Sequence, residues 1–333
     1  MKNILTIDGS QGEGGGQILR TSLSLSAITQ TPFRMVNVRA KREVPGLKRQ
    51  HLTCVRAVTE VCGAQIEGDE VGSLTLSFAP GPIRGGEYRF DVGTAGSTTL
   101  VAQTVLPVLL MADTPSSVTI SGGTHVQWAP IWEFFATAYL PQLRAMGAEV
   151  EAELVRHGFY PAAGGEIRLS IKPFEKARAN QSWSFTNLGD FRGGRAVGIV
   201  SNIPRVIAEN EAEIVLHKLS DLSLREEVLQ AQSPGPGNCC FAQLDFAQAS
   251  VVVSEVGSYN RSRKAVANGV VSQLKHFLKA GAAVEEHLAD QLLVPLAVLL
   301  GRHGGSPEEL GMTIEKETLH YETNMEVIGR FLC

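Results

Sequence analysis

The chain has 333 residues, of which 44% are hydrophobic and 19% are charged, and its formal net charge is -4 at pH 7. This composition is typical of a soluble globular protein, and the length suffices for two domains or one large one. The acidic balance argues against general coating of a nucleic acid. No stretch is long and apolar enough to span a membrane, and the start of the chain does not resemble a secretory signal, so we expect a cytoplasmic protein.

The N-terminal residues predict two strand–helix pairs followed by two short strands. A strand over 2–8 leads into a glycine-rich loop over 9–17, and an amphipathic helix follows over 17–29. The remaining elements of this unit are a strand, a helix and a hairpin, at 33–40, 47–63, 64–68 and 73–80. The order is therefore β-α-β-α-β-β.

The same order begins again at residue 88. A strand, a glycine turn and an apolar helix cover 88–112, a strand covers 116–123, and a helix over 131–147 precedes two closing strands. Both second helices end in Gly-Ala, and a third Gly-Ala at 281–282 precedes another helix and C-terminal strands. Gly-Ala is also a common helix stop, but the recurrence favours an α/β (α+β) fold with three copies of the unit.

The segment 182–277 interrupts this pattern. It contains the strand-like runs AVGIVSN, CFAQLDF and SVVVSEV, a long charged helix, and a basic helix start, RSRKAVANG. We therefore predict a large three-repeat domain formed by 1–181 and 278–333, with a smaller α/β domain, 182–277, inserted in the third repeat.

The loop GSQGEGGGQ lies between a strand and a helix, where backbone N–H groups can hold an anion. It lacks the Lys-Ser/Thr ending of a P-loop and the acidic partner of a dinucleotide-binding motif. Glu13 places a carboxylate in this loop, and a carboxylate beside phosphate needs a metal ion or an arginine such as Arg20 to offset repulsion. The alternative is a glycine-rich turn with an exposed glutamate.

A basic strip runs from Arg34 to Arg56, with Glu43 as its one acidic residue. Pro45-Gly46 breaks the chain before the helix, so basic side chains project both from a loop and from a helix start. Such a strip suits a phosphate clamp, although a solvated surface is the alternative. Base reading is not indicated, because no aromatic residues interleave with these charges.

The C-terminal segment EKETLHYETNMEVIGRFL carries a candidate nucleophile. Thr318-Leu319-His320 predicts a strand end, and Thr323-Asn324 predicts the cap of the last helix. A neutral imidazole placed there can attack an electron-poor phosphorus, although a lone histidine is more often structural. His157 and His303, both in glycine-rich loops, are the alternatives.

Several motifs, in this order along the chain, carry a resemblance to a known family. They are GSQGEGGGQILR, PGLKRQHL, GTAGSTTLVAQTVLP, SGGTH followed by AP, RHGFYPAAGGE, HLADQLLVPLAVL and LHYETN. Together they cover essentially the whole chain, which resembles the RNA 3'-terminal phosphate cyclase family. The resemblance implies the fold with an inserted domain. It also implies an ATP-driven conversion of an RNA 3'-phosphate end to a 2',3'-cyclic phosphate, through AMP bound to an enzyme histidine.

The resemblance also implies roles for individual residues. His320 matches the histidine that takes AMP, and Glu13 matches a carboxylate that binds a divalent metal, Mg or Mn. The residues matched to ATP contacts are Gln103, Pro130, which would cover the adenine, and His287, Leu288, Ala289, Asp290 and Gln291. The residues matched to RNA or phosphate contacts are Arg20, Arg39, Arg42, Gln50 and His51.

Two departures from the family pattern and three alternative functions remain open. His287 stands where an adenine-stacking tyrosine is common, and Ala163 stands where a third glycine is frequent. One alternative is a non-catalytic cyclase-like protein of ribosome assembly, which lacks the histidine that His320 matches. The others are an RNA-binding module that uses the basic strip, and an enolpyruvyl transferase of related repeat architecture.

Overall fold

A computed structural model describes residues 4–332 as a mixed α/β protein. Three four-stranded sheets and eight α-helices form in this part of the chain. Residues 2 and 3 of the predicted first strand lie outside the described residues. None of the described helices combines the length and hydropathy that a membrane crossing requires.

The first unit follows the predicted order. It consists of β1 Leu5–Asp8, α1 Gly16–Thr29, β2 Phe33–Val36, α2 Arg49–Cys62, β3 Gln65–Glu67 and β4 Leu76–Ala79. The sheet order is β1-β2-β4-β3, with β1 parallel to β2 and the other pairs antiparallel. Helix α1 is buried on most sides, and its serines at 22, 24 and 26 allow close approach of its neighbours.

The second unit repeats this connectivity. Its elements are β5 Glu87–Asp91, α3 Thr98–Leu109, β6 Ser116–Gly122, a π-helical segment Phe134–Tyr139 that continues as α4 Leu140–Ala145, β7 Val150–Arg156 and β8 Gly165–Ile171. The sheet order β5-β6-β8-β7 corresponds to that of the first unit. The predicted helix over 131–147 is therefore partly π-helical, and it widens just before Pro141, a residue that has no N–H for the helical ladder.

A third sheet forms between residues 191 and 256. Its elements, with the helices that cover it, are β9 Phe191–Ser201, α5 Val206–Lys218, β10 Arg225–Gln230, β11 Gly237–Phe246, β12 Ser250–Val256 and α6 Arg263–Ala280. The order is β10-β9-β11-β12, and a separate cluster of buried apolar residues lies between this sheet and its helices. The domain limits 182 and 277 stay a prediction; residue 277 lies within α6.

The last part of the chain differs from the prediction. It contains α7 Glu286–Leu300 and α8 Leu319–Leu332, and the expected strands are reduced to two isolated bridges, Phe185–Met312 and Val284–Ile314. The third copy of the repeat therefore stays a prediction. The strand predicted through His320 is wrong, because α8 begins at Leu319.

The start of α8 explains this error. Thr318, not Thr323 or Asn324, caps the helix: its hydroxyl oxygen accepts from the backbone N–H of Tyr321 at 3.1 Å. The buried residues Tyr321, Val327, Ile328 and Phe331 recur with helical spacing. His320 consequently lies in the first turn of a helix that packs against α1 and α7.

Candidate active site

One cavity of about 1200 Å³ brings most of the predicted residues together. It lies where α1, α2, α3, α7 and α8 meet. It extends to β12 of the third sheet and to α6, a helix that covers this sheet. The predicted residues that line it are Glu13, Arg20, Arg39, Arg42, Gln50, His51, Gln103, Pro130, His287, Asp290, Gln291 and His320. Segments that are distant in sequence thus meet at a single site.

Both nitrogens of the His320 imidazole have partners in this cavity. Nε2 lies 2.8 Å from Oε2 of Glu13, and Nδ1 lies 2.5 Å from Oε1 of Gln17. Burial lowers the pKa of His320, and Arg20 and Arg42 add to this effect, whereas the charge of Glu13 opposes it. The imidazole is therefore biased toward its neutral form at pH 7.

Gln17 fixes which ring nitrogen of His320 carries a proton. Its Nε2 donates to Oδ2 of Asp290 at 2.8 Å, which leaves Oε1 as the group that faces His320. An amide oxygen only accepts, so Nδ1 of His320 donates to it. Nε2 donates to Glu13 only when His320 is protonated; in the neutral imidazole Nε2 carries the lone pair, and Glu13 must then turn away or bind a cation.

The glycine loop lets its backbone pass close to these side chains. A Cβ at Gly16 would lie 2.3 Å from Nε2 of His51, and one at Gly12, where φ is +54°, would lie 1.9 Å from Oγ1 of Thr323. Only glycine is accommodated at such distances. The loop therefore places Glu13 next to Arg42, whose Nη2 lies 2.9 Å from Oε2 of Glu13.

The residues matched to phosphate contacts form the wall beside Glu13. The backbone N–H of Lys48 donates to Nδ1 of His51, so Nε2 of His51 carries the ring proton. Burial lowers the pKa of His51 to about 3, and nearby Arg39 adds to the effect, so the ring is a neutral N–H donor. Arg39 donates to the carbonyl oxygens of Val44 and Gly46 and holds the turn before α2.

Helix α7 presents one face to the cavity. His287, Asp290 and Gln291 line it, and Gln291 hydrogen-bonds to Gln103 of α3. Leu288 and Ala289 are 3% and 0% exposed and pack in the core, because they lie on the opposite face of the helix. The structure gives no support for a side-chain contact between these two residues and a nucleotide.

Only one of the two carboxyl oxygens of Asp290 has a hydrogen-bond partner. Oδ2 accepts from Gln17, whereas the buried Oδ1 has no hydrogen-bond partner. Burial raises the pKa of Asp290 to about 7, although His287 and Arg20 act in the opposite direction. A buried charged oxygen without a partner is costly, which agrees with the raised pKa of this carboxyl group.

His287 is held by the carboxylate of Glu285, which also caps α7. Oε2 of Glu285 accepts from the backbone N–H groups of His287 and Leu288, both at 3.0 Å, and its other oxygen pairs with Nδ1 of His287. This hydrogen bond raises the pKa of His287 to about 9. The imidazole is therefore a cation at neutral pH, which favours an anionic ligand nearby.

Asp290→Asn is expected to change how stability depends on pH. The folded protein keeps the Asp290 proton up to pH about 7, whereas the unfolded chain loses it near 3.8, so this group costs stability as the pH rises between these values. The variant should match the wild type near pH 4 and exceed it by a few kcal/mol at pH 8 in free energy of unfolding. Urea titrations at several pH values test this. Asp190→Asn, at an exposed position, is the control, and a difference independent of pH would contradict the assignment.

Sequence reasoning missed Gln17, Glu285 and Asn324. Asn324 lines the cavity, donates to the carbonyl oxygen of Asp290 at 2.8 Å and accepts from Thr21. Gln17 and Asn324 lie within the motifs GSQGEGGGQILR and LHYETN, but no local pattern marks these side chains as site residues, so only the tertiary structure identifies them. The alternative nucleophiles His157 and His303 do not line the cavity.

Known proteins are similar to this chain over nearly its whole length. The sequence profile described as RNA 3'-terminal phosphate cyclase matches residues 11–333. Proteins named RNA 3'-terminal phosphate cyclase include one from Salmonella agona that is 44% identical over 100% of this chain and 93% of its own length. One from Pseudomonas fluorescens is 46% identical, over 99% of this chain and 93% of the relative. One from Ralstonia nicotianae is 44% identical, over 98% of this chain and 91% of the relative.

A search of solved structures found a weak similarity to the enolpyruvyl transferase NikO from Streptomyces tendae. Its TM-score is 0.26 at 14% sequence identity, over 46% of this chain and 29% of the other. A similarity this low carries no argument about fold or function.

Proposed function

The chain belongs to the RNA 3'-terminal phosphate cyclase family, and from this premise we propose that it cyclises RNA 3'-phosphate ends through AMP bound to Nε2 of His320. ATP and an RNA end are the substrates that this family membership implies. The observation that supports the histidine assignment is the hydrogen bond from Nδ1 of His320 to Gln17, which in the neutral imidazole places the lone pair on Nε2.

The proposed reaction has three steps. Nε2 of His320 bonds to the α-phosphorus of ATP as the bond to the bridging oxygen breaks, and pyrophosphate leaves with the bonding electrons. An oxygen of the RNA 3'-phosphate then bonds to the same phosphorus as the Nε2–P bond breaks. Finally, the neighbouring 2'-hydroxyl oxygen bonds to the RNA phosphorus, AMP leaves, and the hydroxyl proton passes to a base. Nε2 of His320 is free again after the second step and can accept this proton.

In the proposed reaction, AMP supplies the leaving group for ring closure. Closing the ring requires an oxygen to leave the terminal phosphate, and a phosphate oxygen by itself is a poor leaving group. Linking it to AMP makes the leaving group a phosphate ester, so most of the remaining work is positioning and charge stabilisation. The cavity supplies these through its arginines and the His51 N–H.

The nucleotide is proposed to bind against α7. His287 contributes a positive charge toward the triphosphate, and Asp290 and Gln291 line the same face of the cavity. Pro130 lines the same cavity, which is compatible with contact to the adenine. These contacts support ATP as the ligand, and the individual roles remain part of the proposal.

Arg42 is proposed to serve both ligands. The sequence favours the RNA end over the nucleotide as the ligand of Arg42, because Arg42 is far along the chain from HLADQ. The loop that carries it folds over the glycine loop, and Arg42 lies 2.9 Å from Glu13, which itself contacts His320. Its guanidinium can therefore neutralise charge both on the α-phosphate and on the incoming RNA phosphate.

Glu13 is suited to a divalent metal bound together with ATP. It belongs to neither group of three potential metal ligands in the described part of the chain, so a metal there would take its other ligands from phosphate and water. One carboxylate with substrate phosphates is a common Mg²⁺ arrangement, in which the metal neutralises charge on the phosphates. Glu13 bound in this way would turn its charge away from Nε2 of His320.

Gln17→Met should slow AMP transfer to the enzyme by about 10- to 100-fold, because it removes the acceptor that orients His320 and sets its tautomer. Single-turnover labelling with ATP, measured from pH 5 to 9, tests this. Gln17→Glu should keep the acceptor, stabilise the imidazolium and move the acid limb of the profile to higher pH.

The matched control for this prediction is Gln11→Met. Gln11 lies in the same glycine loop but pairs with Glu326 and does not line the cavity. This variant should load AMP as the wild type does. Unchanged rates and pH profiles in both Gln17 variants would contradict a positioning role for Gln17.

A second candidate function is the non-catalytic, cyclase-like branch. The placement of His320 in the cavity with Glu13 and Asp290 favours the enzyme, since a binding protein has no need for this set. Incubation with ATP labelled in the α-phosphate separates the two: the cyclase acquires a covalent label, and a binding protein does not.

A further inference from the structure

Two aromatic side chains are fully exposed at the rim of the cavity. Trp128 is 96% exposed and Tyr259 is 104% exposed, the highest values among the large hydrophobic side chains in the described part of the chain. Neither ring stacks on another aromatic ring among these residues. Large aromatic side chains normally bury most of their surface. Two exposed ones near one cavity therefore indicate a surface that binds a ligand.

The two rings lie on loops that approach each other. Nε2 of Gln127 donates to the carbonyl oxygen of Val256 at 3.4 Å, which links the loop before Pro130 to the end of β12. Trp128 follows Gln127 directly, and Tyr259 is three residues beyond Val256. Trp128 lines the cavity, and so do Ser258 and Arg261 on either side of Tyr259. The cavity is therefore continuous from His320 to this aromatic rim.

Trp128 is held outward by its backbone. Its φ is +63°, in the left-handed region that is unfavourable for a residue with a bulky side chain. Such strain persists only where the surrounding structure enforces it, and it is found most often at functional sites. The adjoining His125 is rigidly fixed by hydrogen bonds to Thr124 and Glu133, so the loop starts from a firm anchor.

Basic residues follow Tyr259 closely in the sequence. The segment SYNRSRK, residues 258–264, interleaves Tyr259 with Arg261, Arg263 and Lys264. Arg261 pairs with Glu255, whereas Arg263 and Lys264 are exposed and form no ion pair within residues 4–332. Exposed aromatic rings with flanking cations are the features by which proteins hold single-stranded nucleic acid: the rings stack on bases, and the cations follow the phosphates.

We propose that Trp128 and Tyr259 form a stacking subsite for unpaired bases upstream of the RNA 3'-phosphate end. The proposal rests on the proposed function, because the terminal phosphate must reach His320 while the preceding nucleotides leave the cavity past its rim. The two rings contact the flat face that every base has. The subsite therefore favours a single-stranded 3' end without selecting a particular base.

Binding of 3'-phosphorylated RNAs in which upstream bases are replaced one at a time by abasic nucleotides tests this subsite. The phosphate charge is constant across such a series, so any loss of affinity reports on the bases. The wild type should lose about 5- to 100-fold in affinity when the stacked base is removed. Trp128→Ala and Tyr259→Ala should bind the intact RNA more weakly by a similar factor and should be insensitive to removal of the base that each ring holds.

Two controls sharpen the measurement. Trp128→Phe keeps an aromatic face and should regain most of the affinity. Tyr160→Ala removes a tyrosine that is 75% exposed but does not line the cavity, and it should behave as the wild type. If the wild type and both alanine variants respond equally to abasic positions, the subsite does not exist. Binding is measured without ATP, so failure of AMP transfer to His320 would be detected separately, in the labelling assay.

Discussion

His320→Ala is expected to abolish the covalent enzyme–AMP species. The side chain supplies the nitrogen that would bond to the α-phosphorus, and no other described histidine that lines the cavity pairs with Glu13. Loss of a nucleophile of this kind lowers the rate by more than about 10³-fold, so both labelling by ATP and RNA cyclisation should fall to background.

The fold should survive this substitution. His320 is in the first turn of α8, and its side chain is 38% exposed to the cavity. Alanine is also a good helix former. His303→Ala is the matched control, because His303 does not line the cavity, and this variant should be labelled as the wild type is. Persistent labelling of the His320→Ala variant, with the thermal transition unchanged, would contradict the assignment.

Glu13→Gln is expected to produce the second largest effect, a fall in AMP transfer on the order of 10²-fold at fixed metal concentration. The amide keeps the shape of the side chain but removes the charge that would hold a cation. The concentration of Mg²⁺ or Mn²⁺ needed for half-maximal labelling should therefore rise. Superimposable metal titrations of variant and wild type would show that Glu13 is not a ligand.

The Glu13→Gln variant should also change how the labelling rate depends on pH. The charge of Glu13 raises the pKa of His320 against the effect of burial, so its removal lowers that pKa further. The imidazole then becomes neutral at lower pH, and the acid limb of the labelling rate should move to lower pH. Glu326→Gln is the control, because Glu326 contacts the same glycine loop through Gln11 but does not line the cavity.

Much of the fold could be predicted from the sequence because its signals are local. Glycine turns and alternating apolar residues defined the first two units, and their sheet orders are equivalent. The error at His320 concerned the residue at which the last helix begins. Thr318 and Thr323 are both possible caps, and the buried residues of α8, from Tyr321 onward, decide in favour of Thr318.

The site was only partly predictable for a different reason. Glu13 stands out in a glycine loop, whereas Gln17 acquires its role by meeting His320, which lies 303 residues away in sequence. Such a bridge leaves no local pattern. The HLADQ motif shows the opposite case: helical periodicity alone would have separated His287, Asp290 and Gln291 from the buried Leu288 and Ala289.

Localising the AMP on the wild-type enzyme tests the central claim most directly. The protein is incubated with ATP labelled in the α-phosphate, without RNA, and is digested at alkaline pH, since a phosphorus–nitrogen bond to histidine is acid-labile. The labelled peptide is then sequenced by mass spectrometry. We predict one adenylylated residue, His320, and release of the label when 3'-phosphorylated RNA is added before digestion. AMP on any other residue, or no covalent AMP at all, would contradict the account.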